Sequence, residues 1–141
     1  MNSPAYYWFL KSDETLRVYA DDRLLFSSRK EGLLPLLEYL GGFDSEQGVL
    51  IFDKVVGNAA VLLAIKARCQ ELYSPLGSHF AVKTLDKYGI RHHISDVVPY
   101  IQQANGEKMC PMEELSLDKT PEEFYSVVTA TLSRQAMQTF R

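Results

Sequence analysis

The first regular pattern in the chain is an alternation of apolar and polar residues from Thr15 to Ala20. A two-residue period predicts a half-buried strand. Asp21-Asp22 is a turn signal, and Arg23 to Ser27 then reads as a returning strand. The sequence therefore predicts a β-hairpin near the N-terminus.

Residues 4–11 precede this hairpin and are strongly aromatic. We predict a short helix rather than an unusual strand, with Ser3 as N-cap and Pro4 at the first helical position. Tyr6 to Phe9 contains too many aromatic side chains for one helix face. We expect this run to pack against the sheet edge or a partner subunit, and stacking on a nucleobase is the alternative.

Helices and strands are predicted to alternate after the hairpin. The predicted helices are Gly32–Leu40 (ended by Gly41-Gly42), Asn58–Cys69, Ser78–Tyr88 and a terminal helix after Thr120, and the predicted strands are Gly48–Asp53, Glu71–Ser74 and Ile90–Ile94. Val97–Gln103 is predicted as a short helix or link, and Asn105-Gly106 as a turn. The alternation predicts one α/β domain over residues 1–141, a three-layer α/β/α sandwich with a mixed, mostly parallel sheet and an N-terminal hairpin.

The terminal helix, within residues 120–141, is predicted from a capping box. Thr120-Pro121-Glu122-Glu123 combines an N-cap threonine, a proline at the first position and a glutamate three residues on. Its apolar residues recur near helical spacing, so one face needs burial. They are Phe124, Val127, Val128, Leu132 and Phe140. We expect this helix to dock on its own domain or on a second chain, and a homodimer is our preferred assembly.

The composition limits which binding partners and which cellular compartment are expected for this protein. The net charge is −3, so no strong basic field is available for nucleic acid. The longest apolar stretch, Val55 to Ile65, is too short to cross a membrane, and the N-terminus lacks the basic region of a signal peptide. Cys69 and Cys110 form no disulfide framework. These features predict a reduced, cytoplasmic protein without nucleic-acid or membrane partners.

The end of the apolar strand at Asp53 carries the first candidate chemistry. A buried helix begins a few residues later at Asn58, and ligands of open α/β sheets collect at the carboxyl ends of strands. Free N–H groups at a helix N-terminus favour an anion. Gly57 would allow close approach and Lys54 would supply positive charge. A phosphate or carboxylate site is predicted here, and a plain turn capped by Asp53 is the alternative.

Ser74 and Ser78 flank the next predicted turn between a strand and a helix. We expect this turn to lie beside the first, so that two helix N-termini form a small-molecule cleft. The alternative is that Ser78 is an N-cap and nothing more.

Cys110-Pro111-Met112-Glu113 is the remaining candidate. Cys110 is a candidate nucleophile and Glu113 a base or a helix-start carboxylate, while a buried structural cysteine before a turn is the alternative. His79, His92 and His93 are distant in sequence, so no local Cys-His dyad is visible. His92 and His93 should point to opposite faces of a strand and cannot easily share a metal.

Parts of the chain resemble a small prokaryotic family catalogued as a domain of unknown function with a cytidine-deaminase-like fold. The resemblance lies in Asp53-Lys54-Val55-Val56-Gly57-Asn58-Ala59-Ala60, Leu72-Tyr73-Ser74 to Ser78, Tyr88-Gly89-Ile90 and Cys110-Pro111-Met112-Glu113, within residues 15 to 115. Zinc deaminases place His-x-Glu and Pro-Cys-x-x-Cys at two helix starts. Neither motif stands at the corresponding helix starts here. The resemblance therefore implies the fold without catalytic zinc, and we expect no metal and no cofactor.

Three functions follow from these expectations. The first is a non-hydrolytic domain that binds a nucleotide or related phosphate compound through Asp53, Lys54, Gly57, Asn58 and the two serines Ser74 and Ser78. The second is an enzyme with non-zinc chemistry that uses Cys110 or Asp53. The third is a protein-interaction module.

Overall fold

The computed structural model describes residues 4–43, 46–102 and 108–139, with side chains up to residue 132. These residues form six helices and five strands. In chain order they are α1 (Pro4–Lys11), β1 (Leu16–Ala20), β2 (Arg23–Ser28), α2 (Leu34–Gly42), β3 (Val49–Asp53), α3 (Asn58–Lys66), β4 (Cys69–Ser78), α4 (His79–Lys87), β5 (Arg91–Val98), α5 (Pro111–Ser116) and α6 (Pro121–Thr139). The predicted Ser3 N-cap, the turn at Asn105-Gly106 and Phe140 lie outside the described residues.

The described strands form one mixed sheet in the order β2-β1-β3-β4-β5. Strand β1 pairs antiparallel with both β2 and β3, while β3, β4 and β5 are parallel to one another. The mixed α/β sheet with an N-terminal hairpin is therefore confirmed. Asp21 and Asp22 both have positive φ, 50° and 65°, which is the backbone required by a two-residue hairpin turn of type I′.

The two faces of the sheet are covered unequally. Ile51 and Leu72 lie in the main core with α3, in which every residue from Asn58 to Ala64 is buried. The opposite face carries Phe52, which packs with Phe9 of α1 in a separate cluster. Alternation along β3 places neighbouring side chains on opposite faces, so α1 and α3 lie on different sides of the sheet.

Helix α1 divides its aromatic residues between the protein and solvent. The Phe9 side chain is fully buried, and the Tyr6 ring lies 5.1 Å from that of Phe52. Tyr7 and Trp8 are exposed, Trp8 by 64%. The helix confirms the prediction for residues 4–11, but its buried rings cover a face of the sheet rather than its edge.

Strand β4 is much longer than predicted because the sheet continues through the expected turn. It extends to Ser78 and includes Pro75. Proline interrupts a strand only where its missing N–H is needed. Pro75 lies beyond the last pair of the β3–β4 ladder, Phe52 and Tyr73. In the β4–β5 ladder Ser74 and Leu76 pair on either side of it, and Pro75 itself is left out. Strand β5 follows this extension to Val98, through residues predicted as a link.

Two predicted helix boundaries are also wrong. Helix α3 ends at Lys66 because Arg68 adopts a positive φ of 66°, and Cys69 already belongs to β4. Helix α2 includes Gly41 and Gly42 instead of stopping before them. Their φ values are not positive, so the glycines do not form the left-handed turn that ends many helices.

The capping box of α6 forms as predicted. The amide of Thr120 donates to Glu123 Oε1 at 2.8 Å, and the amide of Glu123 donates to Thr120 Oγ1 at 3.1 Å. Phe124 and Val128 are buried in the main core, whereas Leu132 is 39% exposed. The helix therefore docks on its own domain. Among the described helices, none is long and apolar enough to cross a membrane.

Candidate functional site

A cavity of about 630 Å³ opens where β3 ends and α3 begins. Its walls come from the start of β1, the loop before α2, the connection from β3 to α3, and the residues around the start of α5. Five predicted site residues line it: Asp53, Lys54, Gly57, Cys110 and Glu113. Residues 53–57 and 110–113, which are distant in sequence, thus meet at one place.

Asp53 is the titratable group best placed to act within this cavity. It is the last residue of β3, and the alternation of the strand puts it on the same face as Ile51, toward α3. Burial raises the pKa of its carboxyl from 3.8 to about 7. Its Oδ1 accepts a hydrogen bond from the amide of Val55 at 3.4 Å. No cationic side chain of the described residues forms an ion pair with it.

Lys54 does not present its amine as predicted. Its Nζ donates to the carbonyl of Ser12 at 2.8 Å and lies 4.8 Å from the centre of the Phe9 ring. These contacts fasten the end of α1 to the end of β3. Lys54 lines the cavity, but its ammonium group is already engaged by these two contacts.

Gly57 was predicted to allow the close approach of a ligand, and the group that approaches it is the side chain of Glu113. A Cβ atom at this position would lie 2.8 Å from Glu113 Oε1 and 2.8 Å from Ile101 Cγ1. The φ of Gly57 is −94°, which any residue can adopt. The lack of a side chain, and not an unusual backbone, is the reason for glycine here.

The Glu113 carboxylate occupies the anion position at the start of α3. Only 2% of the residue is exposed. Its Oε1 accepts from the amide of Asn58, and its Oε2 accepts from the amide of Ile101 at 2.7 Å. A negative charge at a helix N-terminus is favourable. The site predicted for an external phosphate or carboxylate is thus filled by the chain itself.

Asn58 does not line the cavity, and its side chain is bonded within the protein. It is 4% exposed, and its Nδ2 donates to the carbonyl and the hydroxyl oxygen of Ser116 at 3.2 and 3.0 Å. Its Oδ1 accepts from the hydroxyl of Thr84. One side chain therefore connects α3, α4 and α5.

Ser74 and Ser78 do not reach the cavity, which corrects the predicted cleft between two turns. Ser74 lies within β4 and donates to the carbonyl of Leu76 at 2.9 Å. Ser78 caps α4, as its alternative interpretation proposed, because its Oγ accepts from the amide of Ala81 at 3.1 Å. Strand β4 passes directly into α4, so no open turn exists there.

Cys110 is a partly exposed free thiol at the cavity wall, so it is not the buried cysteine of the alternative. No histidine lines this cavity. The His93 ring stacks on Tyr73 at 4.2 Å, and its Nε2 lies 2.8 Å from Glu71 Oε2. Cys69, by contrast, is buried, and burial raises the pKa of its thiol to about 12.

The donor set of the cavity does not fit a deaminase-type zinc ion. Such a site uses histidine and cysteine ligands, whereas this cavity offers one thiol and carboxylates. Both oxygens of Glu113 already accept backbone amides. In residues 4–43, 46–102 and 108–139, no group of three or more His, Cys, Asp or Glu side chains could hold a metal ion.

The sequence did not indicate the apolar wall of the cavity. Ile101, Met112, Ala59 and Ala60 line it, and helix α5 was not predicted. A signal for α5 was present, since Pro111 at its first position is followed by two glutamates in the first turn. Nothing in the sequence indicates that Ile101 lies beside this helix.

Comparisons with known proteins identify the family. Residues 7–132 match the TM1506 family, described as a domain of unknown function (DUF1893). The crystal structure of a DUF1893 family protein (TM1506) from Thermotoga maritima, at 2.70 Å resolution, is similar, with a TM-score of 0.82 and 32% sequence identity over 90% of this chain and 86% of that chain. No curated protein matches significantly. The chain therefore belongs to the DUF1893 family of unknown function.

Proposed function

We propose that this chain is a small-molecule-binding domain of the cytidine-deaminase-like type that lacks catalytic zinc. Its ligand is a nucleobase, a nucleoside or the base end of a nucleotide, held in the cavity between β3 and α3. Two of the segments that resemble the deaminase-like family, around Asp53 and around Cys110, line this cavity together. This meeting of distant segments supports one shared site.

The observation that carries the proposal is the Asp53 carboxyl, which is desolvated at the wall of a roomy, mainly apolar cavity. Asp53 is half-buried, and a desolvated carboxyl without a cationic partner is unfavourable unless it is protonated or meets a hydrogen-bond donor. The ring N–H and amino groups of a base are such donors. Pockets of several hundred Å³ with few polar groups are typical of small-ligand sites.

The cavity favours the base of a nucleotide over its phosphate. Lys54 is engaged with Ser12 and Phe9, and Glu113 fills the anion position at α3. A phosphate placed deep in the cavity would meet the carboxyl groups of Asp53 and Glu113, while the Lys54 ammonium is held against Ser12 and Phe9. We therefore place any phosphate at the mouth of the cavity, where water screens its charge.

Calorimetric titration with paired ligands tests this proposal. Cytidine, uridine, adenosine and guanosine are each compared with the corresponding monophosphate. We expect one nucleoside to bind at least as tightly as its monophosphate, and Asp53→Ala to weaken binding at least tenfold. Ser74→Ala is the matched control at the other connection and should bind like the wild type. The absence of binding by every compound in both series would contradict the proposal.

An enzyme is the second candidate, because the cavity holds both Cys110 and a carboxyl that titrates near neutral pH. A carboxyl with a pKa near 7 can exchange a proton at physiological pH, as general acid–base catalysis requires. Alkylation of Cys110 by iodoacetamide tests this candidate. We expect faster labelling at Cys110 than at buried Cys69, and slowing by the nucleoside that binds. Labelling that the bound nucleoside does not slow would argue against Cys110 as a nucleophile in this cavity.

A further inference from the structure

We propose that the free edge of β5 pairs antiparallel with β5 of a second copy, so that two sheets join across a two-fold axis. Within the described residues β5 pairs only with β4. Its side chains are mostly exposed, and Val97 is 53% exposed. The outer N–H and C=O groups of such a strand are available to another strand.

The two edges of the sheet differ in how well they would accept another strand. Edge β2 is irregular, because the ladder between β1 and β2 shifts register between Val18 and Tyr19. Edge β5 has eight residues and keeps one register with β4 from Arg91 to Val98. It contains no proline. Bulges and prolines are common ways of blocking an edge, and β5 has neither.

The sequence of β5 is complementary to itself in one register. A two-fold axis perpendicular to the sheet places the same face of both copies on the same side of the joined sheet. Because side chains alternate between faces along a strand, the residues that pair across the axis have numbers that differ by an even amount. Centring the axis on Ile94 places His92 opposite Asp96 of the partner subunit. It also places Ile94 opposite Ile94 of the partner subunit. Polar then meets polar and apolar meets apolar on this face.

Neighbouring registers are less complementary. Centring the axis on His93 places this ring opposite its own copy, and centring it on Ser95 places Asp96 opposite Ile94 of the partner subunit. Opposite residues in a sheet contact directly, so these two registers bring His92 or Asp96 against Ile94 of the partner subunit, which the Ile94-centred register avoids. Ile94 also packs against the main core. The Ile94-centred pairing would thus extend that core across the axis.

A matched pair of substitutions at Val97 tests the pairing. In the proposed register Val97 faces Arg91 of the partner subunit. Val97→Lys therefore places a positive charge opposite Arg91 of the partner subunit, and Val97→Asp places a negative charge opposite it. Sedimentation equilibrium of the full chain should give about 32 kDa, twice the chain mass of 16.0 kDa. We expect Val97→Lys to raise the dimer dissociation constant about tenfold, and Val97→Asp to leave it unchanged or lower it. A monomer at every concentration, or equal effects of the two substitutions, would overturn the proposal.

Amide hydrogen exchange locates the contact. Half of the β5 amides point toward β4 and half point outward, in alternation. We expect both sets to exchange slowly in the wild-type dimer and the outward set to exchange quickly in the Val97→Lys variant. Trp8→Ala, on the exposed side of α1, is the control and should not change the dimer. A dimer that dissociates in Trp8→Ala and keeps fast outward β5 amides would place the interface on α1 instead.

Discussion

The two connections from a parallel strand to the next helix look alike in sequence and differ in structure. Between β3 and α3 the chain makes an open link, with Asp53 and Gly57 at the wall of a cavity. Between β4 and α4 it makes none, and Ser78 is both the last residue of the strand and the N-cap of the helix. Of these two connections, the first borders the 630 Å³ cavity and the second contributes no residue to it.

The difference lies in which group satisfies the first amides of each helix. At α4 the cap is local, from Ser78 to Ala81 three residues away. At α3 the N-cap is Gly57, which has no side chain, and the acceptor is Glu113 from α5. A distant cap brings a second segment to the helix start, and that segment builds the cavity wall. A local cap such as Ser78 does not bring a distant segment to the start of its helix.

Removal of the distant cap should produce the largest effect. Glu113→Ala leaves the buried amide of Asn58 and the partly buried amide of Ile101 without their acceptor, and each unsatisfied group costs about 1–3 kcal/mol. We expect a loss of about 3 kcal/mol in the free energy of unfolding, measured with urea. The exposed neighbour gives the control, since Glu114→Ala should change stability by less than about 0.5 kcal/mol. Equal urea midpoints for the two variants would contradict the role of Glu113 as the cap of α3.

A side chain at Gly57 should act through the same contact. Gly57→Ala places a Cβ atom against Glu113 Oε1 and Ile101, and overpacking of this kind costs about 2 kcal/mol. The penalty should shrink in a Glu113→Ala background, which a double-mutant cycle measures. Gly41→Ala is the opposite control, because a Cβ there meets nothing within 4 Å and alanine favours the helix. Additive effects of the two cavity substitutions would contradict the proposed contact.

Asp53 should make stability depend on pH. Its pKa is about 7 in the folded protein, above the ordinary value, so the folded state holds the proton more tightly. The penalty for ionisation is absent below about pH 4, grows between pH 4 and 7, and is complete above pH 7. We expect Asp53→Asn to stabilise the protein at pH 8 by on the order of 1 to 2 kcal/mol, because cavity water reduces the full penalty. Chemical unfolding at pH 4.5 and pH 8 checks this, with Asp22→Asn as the exposed control. No gain at pH 8 would show that the Asp53 carboxyl is well solvated.

The local cap at α4 should give the smallest effect. Loss of the Ser78 side chain removes one capping hydrogen bond, which is worth about 1 kcal/mol. We therefore expect Ser78→Ala to lower stability by about that amount and to leave ligand binding unchanged. Urea unfolding and calorimetry on the same variant measure the two quantities. A tenfold weaker affinity in this variant would mean that the α4 connection belongs to the site.

Features set by neighbouring residues could be predicted from the sequence. The Thr120 capping box, the Ser78 cap and the Asp21-Asp22 turn each depend on residues within a few positions of one another. The predicted site residues Asp53, Gly57, Cys110 and Glu113 also meet at the cavity. Asp53 and Gly57 were selected from their position after an apolar strand, and Cys110 and Glu113 from the chemistry of their side chains.

Features set by distant contacts could not be predicted in this way. The amide of Asn58 meets Glu113 across 55 positions, and Lys54 finds Ser12 across 42. Both contacts engage groups that were predicted to bind a ligand. The continuation of β4 past Pro75 depends on its pairing with β5, and the hydrophobic pattern alone does not contain that information.

Amide chemical-shift mapping tests most directly the claim that only the β3–α3 connection forms a ligand site. ¹⁵N-labelled protein is titrated with the nucleoside that binds most tightly in calorimetry. We predict that the amides of Val55, Gly57, Ala59 and Ala60 shift and that the amide of Ser78 does not. Shifts centred on Ser78, or on β5, with the cavity amides unchanged, would contradict the account.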